Sequence, residues 1–317
     1  MDAGSQTAVS EFDAPYNQAV ELLRESSQPG LQSAICPTCA DRPGRNRWLA
    51  AWHLASLDAP TVAICWSEAL ASLVHVTLPL WVPIALGLGT WAIYLADRLM
   101  DAKRALAPLR ARHWFHWRHR SVLLPMAILN FLTAVVLVLR EMPAAFRQRD
   151  SVLALAALVY FAAIHGRSKL STPAARPVGW RRLLTKETFV GLIFALVCAA
   201  PAAMRCLGGF ATLIAPVAAC FLLAWLNCWL IEHWDSGISV GIRLPIALFT
   251  LALGGASFAL ALGAIPPALF LASIGLSALL LAWLDRNRHR LDALHVRAAA
   301  DLVLLTPLAE ILLRGWR

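Results

Sequence analysis

Nine apolar runs, separated by short polar or basic connections, leave this chain one broad architecture. They lie near residues 59–76, 79–97, 121–140, 151–165, 188–205, 208–231, 243–263, 266–284 and 297–314. Each approaches the roughly 20 residues that cross a bilayer as a helix. Turn formers divide them: Pro79 and Pro83, Pro143, Pro173 and Pro177, Gly208 and Gly209, Pro245, then Pro266 and Pro267. Hydrophobic residues make up 59% of the chain and charged residues 15%, with a mean hydropathy of +0.62. A water-soluble chain could not bury that much apolar surface. The expected fold is therefore all-α: a polytopic membrane bundle of about nine transmembrane helices over residues 56–317, preceded by a polar, mostly disordered cytoplasmic tail over 1–55.

The charges orient the bundle. The net charge of +9 would suit a nucleic-acid binder, but the cations sit between the apolar runs and no nucleic-acid motif accompanies them. With the tail in the cytoplasm, the even-numbered connections carry most of the Lys and Arg. Arg98, Lys103, Arg104 and Arg110 lie in the first, Lys169, Arg181, Arg182 and Lys186 in the second, and Arg286 to Arg290 in the last. The opposite connections hold only Arg140, Arg147, Arg149 and Arg205. By the positive-inside rule the N-terminus is cytoplasmic in a multi-pass integral membrane protein, in the inner membrane if the source is bacterial. Membrane lipids are then the first partners, and some of these cations are contacts for anionic headgroups. Five of the seven cysteines lie in or beside apolar runs, where a thiol is a small hydrophobe. Cys36 and Cys39 form a single CPTC, half of a zinc site with no second half, and read as free thiols.

Two connections on this same face hold acids at helix ends. Asp97 and Asp101 lie one helical turn apart, with Tyr94 a turn behind. Glu232 and Asp235 close a run rich in tryptophan, and Asn227 precedes them. Either group can be read as capping or solvated acids; together they read as ligands for a cation. Asn227 serves either as an interhelical hydrogen-bonding group or as a contact for metal or substrate. Arg98 and Lys186, nearest helix ends, are the best anion contacts, since Arg offers a donor fork and Lys a point charge.

This layout resembles the UbiA superfamily of intramembrane prenyltransferases, which has nine transmembrane helices and Asp-rich motifs in the 2/3 and 6/7 regions. Against the family's NDxxDxxxD, this chain reads IYLADRLMD: Asp97 and Asp101 match, Ile93 stands for the Asn and Tyr94 for the first Asp. Against DxxxD, it has Glu232 and Asp235, spaced three apart. Of the family's YxxK, Tyr160 matches the Tyr and Ala163 replaces the Lys, whereas KETFVGLIFALVCAAP looks like the family's fifth helix.

The resemblance implies a Mg²⁺-dependent transferase that moves a prenyl group from an isoprenoid diphosphate to a lipophilic acceptor, aromatic ones included. Asp97 and Asp101 would be catalytic and hold one metal, and Glu232 with Asp235 the other. Arg98, Lys186, Asn227 and Tyr94 would contact substrate. Two alternatives stay open: an intramembrane terpene cyclase, which needs no acceptor, and a non-catalytic lipid-binding or scaffold protein with a degenerate metal site.

Three further features complete the reading. His113, His116 and His119 recur every third residue beside Trp114, Phe115 and Trp117, which reads as an amphipathic interfacial helix rather than a metal site. Trp48 and Trp52 mark a second interfacial segment. Glu68, Asp301 and Glu310 are acids inside apolar runs, and Asp301 falls where it could border the site.

Overall fold

The computed structural model describes residues 47–104, 111–148, 150–152, 154–155, 159, 186–206, 210–235 and 241–315. Among them there is helix and no strand. In chain order the helices are α1 (Arg47–Leu54), α2 (Asp58–Leu73), α3 (Trp81–Arg104), α4 (Ala111–Arg118), α5 (Arg120–Glu141), α6 (Lys186–Ala203), α7 (Ile214–Asp235), α8 (Arg243–Ala261), α9 (Ile265–Asn287), α10 (Ala293–Val303) and α11 (Pro307–Gly315). The N-terminal tail with its CPTC pair, and Tyr160, Ala163, Lys169, Arg181 and Arg182, lie outside the described residues.

Among the described residues, five segments are long and apolar enough to cross a membrane: Arg120–Glu141, Lys186–Ala203, Ala211–Asp235, Arg243–Ala261 and Ile265–Arg290. These correspond to five of the nine apolar runs, and they suit a multi-pass membrane protein. Their outward faces carry large apolar side chains such as Leu129, Leu132 and Val136 on α5 and Leu251, Phe258 and Leu260 on α8. In lipid such a surface carries no penalty, because the acyl chains around it are as apolar as the side chains.

The first run behaves differently. Helix α2 has only 16 residues, 11 of them buried, so it is enclosed by protein. It packs against α3, α6, α9, α10 and α11, while α3 pairs with α5, α6 with α7, and α8 with α9. Trp66 lies at its middle, edge-on to Phe270 of α9 with centroids 5.6 Å apart and planes at 87°. Leu70, Leu223, Leu226, Ile274 and Leu281 complete this core. Helix α6 approaches α7 closely at Gly191, where an added Cβ would lie 2.9 Å from the backbone nitrogen of Trp225.

The last run is not one continuous helix. A turn at residues 304–306 separates α10 from α11. Pro307 has no N–H to continue the ladder, and it disfavours helical backbone at Thr306. The carbonyls freed by the break are satisfied from neighbouring helices. Trp66 Nε1 donates to Leu304 O at 2.9 Å, and Ser277 Oγ donates to Val303 O at 2.9 Å. Thr306 Oγ1 donates in turn to Ser273 O at 2.9 Å.

Helix α4 is tucked inward rather than laid on a surface. Trp117 and His116 are buried, and His116 Nε2 lies 3.2 Å from Ser56 Oγ in the α1–α2 turn. Trp114 alone of the three expected aromatic anchors is substantially exposed, with Arg118 over its ring at 5.2 Å.

Candidate functional site

A buried polar cluster occupies the end of the bundle where α2 begins and α3, α7 and α9 finish. It starts from a tight turn. Ser56, a non-glycine residue, holds φ at 56°, in the left-handed region. Its N–H reaches His53 O at 3.0 Å, and Leu57 N–H reaches Trp52 O at 3.1 Å. Trp91 of α3 clamps the turn by donating to Ala55 O at 2.9 Å. The reversal folds His53, at the end of α1, back over Asp58, the first residue of α2.

His53 Nδ1 lies 2.6 Å from Asp58 Oδ2, and both side chains are almost wholly buried. Asp58 Oδ1 is occupied by the Ala59 N–H at 2.9 Å, which leaves Oδ2 for the imidazole. The helix N-terminus also favours a carboxylate there. From α10, Asp301 brings its Oδ2 to 3.6 Å from the same Nδ1. Its Oδ1 accepts from Asn227 Nδ2 of α7 at 3.2 Å. Among the described residues, neither His53 Nδ1 nor Asp58 Oδ2 closes an aligned hydrogen bond, and Asn227 Oδ1 has no hydrogen-bond partner. The 2.6 Å contact is thus a close charge contact rather than an aligned hydrogen bond.

Charge balance comes from two sources. Burial disfavours an imidazolium at His53, but the Asp301 and Asp58 carboxylates beside it outweigh that effect, so its pKa is raised above the usual 6.5. Arg98 of α3 supplies a second cation. Its guanidinium lies over the Tyr94 ring, 5.5 Å from the centroid, within electrostatic reach of Asp58, Asp97 and Asp301.

The site residues expected from the sequence divide accordingly. Tyr94, Arg98 and Asn227 border the cluster, with Asp97 beside them; Asp97 and Asp101 are half-buried on α3. Lys186 is exposed at the start of α6 and within electrostatic reach of Cys228, next to Asn227. Glu232 is exposed on α7. Asp235 is held by Arg297 of α10, whose Nε donates to Oδ1 at 3.0 Å while Nη2 meets Oδ2. One residue earlier, Trp234 donates to Asp285 of α9 at 2.6 Å. Among the described residues, three ligand-type groups lie within 4.8 Å of one another only at His53, Asp58 and Asp301.

The expected Mg²⁺ site therefore rests on the chemistry of its donors. Asp97, Asp101, Glu232 and Asp235 offer only hard oxygens, in the last two turns of α3 and the last turn of α7, which suits Mg²⁺. At Asp235 the ion would share a carboxylate that Arg297 already forks.

His53 and Asp58 escaped the sequence reading. The available signal was an acid at the first residue of an apolar run, five residues after a histidine. No protein-family model, curated protein or solved structure matches the chain.

Proposed function

We propose that this chain is a membrane-embedded, UbiA-like transferase that takes an isoprenoid diphosphate and passes its prenyl group to a lipophilic acceptor. The observation that carries the reading is the neighbourhood of Asp301. Asn227 of α7 bonds to it directly, and Tyr94 and Arg98 of α3 lie within its electrostatic reach. The two stretches expected to share a substrate thus border one mostly buried carboxylate at one end of an apolar bundle. The proposal includes nine spans, a cytoplasmic N-terminus and this end of the bundle facing the cytoplasm.

In this reading Asp97 and Asp101 hold one Mg²⁺, and Glu232 with Asp235 the other. Bound there, Mg²⁺ would neutralise the diphosphate as its C–O bond breaks. Arg98 and Lys186 counter the same charge from α3 and α6. The prenyl chain stays among apolar side chains, away from water.

The test is Mg²⁺-dependent pyrophosphate release, assayed from geranyl to polyprenyl diphosphates with lipophilic acceptors. Release by the wild type that is lost in Asp97→Ala supports the reading. No release across that range by folded protein sinks it.

One observation favours the non-catalytic alternative: the Arg297 fork gives Asp235 a structural partner. If that alternative holds, Mg²⁺ with a diphosphate leaves the melting temperature unchanged, and Asp101→Ala makes no difference to that result.

A further inference from the structure

We propose that His53, Asp58 and Asp301 form a binding site for one divalent transition-metal ion of the Mn²⁺, Fe²⁺ or Zn²⁺ class. This site is separate from the carboxylate pairs at the ends of α3 and α7, and it does not depend on a prenyl diphosphate.

The donor set argues for that class. One imidazole nitrogen and two carboxylate oxygens suit first-row divalent ions, whereas Mg²⁺ prefers oxygen throughout and keeps much of its water. The spacing agrees. Metal–ligand bonds of about 2.0–2.2 Å at ordinary angles put ligand atoms roughly 3–3.5 Å apart. The distances from His53 Nδ1 to the two carboxylate oxygens, 2.6 and 3.6 Å, bracket that range. Opening the shorter contact by a few tenths of an ångström would complete the fit.

Two independent observations point to a ligand rather than to a finished ion pair. His53 Nδ1 and Asp58 Oδ2 are buried and close, yet no aligned hydrogen bond closes between them. A protonated histidine serving only as a counter-ion would turn to close that hydrogen bond, because a buried unsatisfied donor is costly. Asn227, 4% exposed, bonds Asp301 through Nδ2 and, among the described residues, leaves its Oδ1 without a partner on the same planar amide. That amide orients Asp301 from outside the ligand triad, as supporting groups do around metal ligands. It also presents a free oxygen beside the site.

Each ligand has its own support. Asp58 is fixed by the Ala59 N–H, and Asp301 by Asn227. His53 is fixed by the Ser56 turn that Trp91 clamps. Three positions remote in the chain are thereby held to one point, as a preorganised site requires. An ion there would tie α1 and α2 to α10.

The test uses the full chain in detergent, stripped with a chelator and then titrated with Mn²⁺ in the absence of any diphosphate. Expected are one Mn²⁺ per chain, a rise in melting temperature, displacement by Zn²⁺, and pulsed-EPR modulation from one imidazole nitrogen. Asp58→Asn and Asp301→Asn should each weaken binding at least about tenfold. Asp101→Asn should leave the Mn²⁺ signal with nitrogen modulation unchanged, because that signal reports only the ion beside His53. Folded wild-type protein that takes up no stoichiometric Mn²⁺ or Zn²⁺, or binds Mn²⁺ without nitrogen modulation, overturns the proposal. So does equal loss in Asp101→Asn and Asp301→Asn, which would move the ion to α3. Prenyl-transfer activity plays no part in these readouts, so the metal site and the transferase reading can fail separately.

Discussion

Arg297 of α10 forks onto Asp235, the last residue of α7, engaging both carboxylate oxygens across 62 residues of sequence. The guanidinium is buried and the carboxylate mostly so. This pair locks α10 onto the end of a membrane-spanning helix.

Removing one partner leaves the other charge poorly solvated. Arg297→Met or Asp235→Leu alone should destabilise the bundle by about 1–3 kcal/mol, below the range for fully buried pairs because Asp235 keeps some water. The double variant should recover much of that loss. Melting temperatures in one detergent, combined as a double-mutant cycle, check this; strictly additive losses would show that the pair does not couple α7 to α10.

His53 makes the metal-free protein sensitive to pH. Its pKa in the fold is raised by Asp301 and Asp58 against the opposing effect of burial. A raised pKa contributes stability that is complete below the unfolded value of about 6.5 and is lost as pH rises through the folded value. Chelator-treated wild type should therefore melt at progressively lower temperature as pH climbs above about 6.5. His53→Gln should flatten that slope over the same window, and an unchanged slope would rule His53 out as its source.

Gly191 and Gly254 should respond oppositely to alanine. At Gly191 the new Cβ would meet Trp225 backbone at 2.9 Å, so α6 and α7 must separate. Overpacking of that kind costs about 1–3 kcal/mol. At Gly254, inside α8, the Cβ meets nothing within 4 Å, and helix propensity should raise stability by up to about 1 kcal/mol. Melting curves of the two variants, run side by side, provide the check.

Trp66 should be among the costliest positions in the core. Trp66→Phe keeps a ring against Phe270 but strands the Leu304 carbonyl, a loss of about 1–3 kcal/mol. Trp66→Ala adds a cavity and should cost about 3–5 kcal/mol. Equal melting temperatures for Trp66→Phe and wild type would mean that the 2.9 Å bond to the α10–α11 turn contributes nothing.

Much of the helical layout was legible in the residues because insertion and helix formation are local properties. Leu, Ala, Val and Phe in long runs specify α5 to α9 wherever the rest of the chain lies. Local pattern also exposed Asp97, Asp101, Arg98 and Asn227 as polar groups at the ends of such runs, and singled out Asp301 as an acid within one. Hydropathy could not separate α2, a short helix enclosed by protein, from helices that face lipid, since both are predominantly apolar. Nor could it show that Pro307 splits the last run while Trp66 and Ser277 take up the carbonyls released.

The polar cluster itself belongs to the tertiary structure. Asn227 and Asp301 stand 74 residues apart, and no periodicity links them. His53 and Asp58 face one another only because Ser56 adopts a left-handed turn that Trp91, from another helix, holds in place. The sequence by itself determined that this chain would form apolar helices with acids and cations gathered toward helix ends, because transfer from water to lipid is decided segment by segment. Which of those acids meet a histidine, and which meet an arginine, was decided by packing, because a contact between distant positions exists only after the helices have closed around α2.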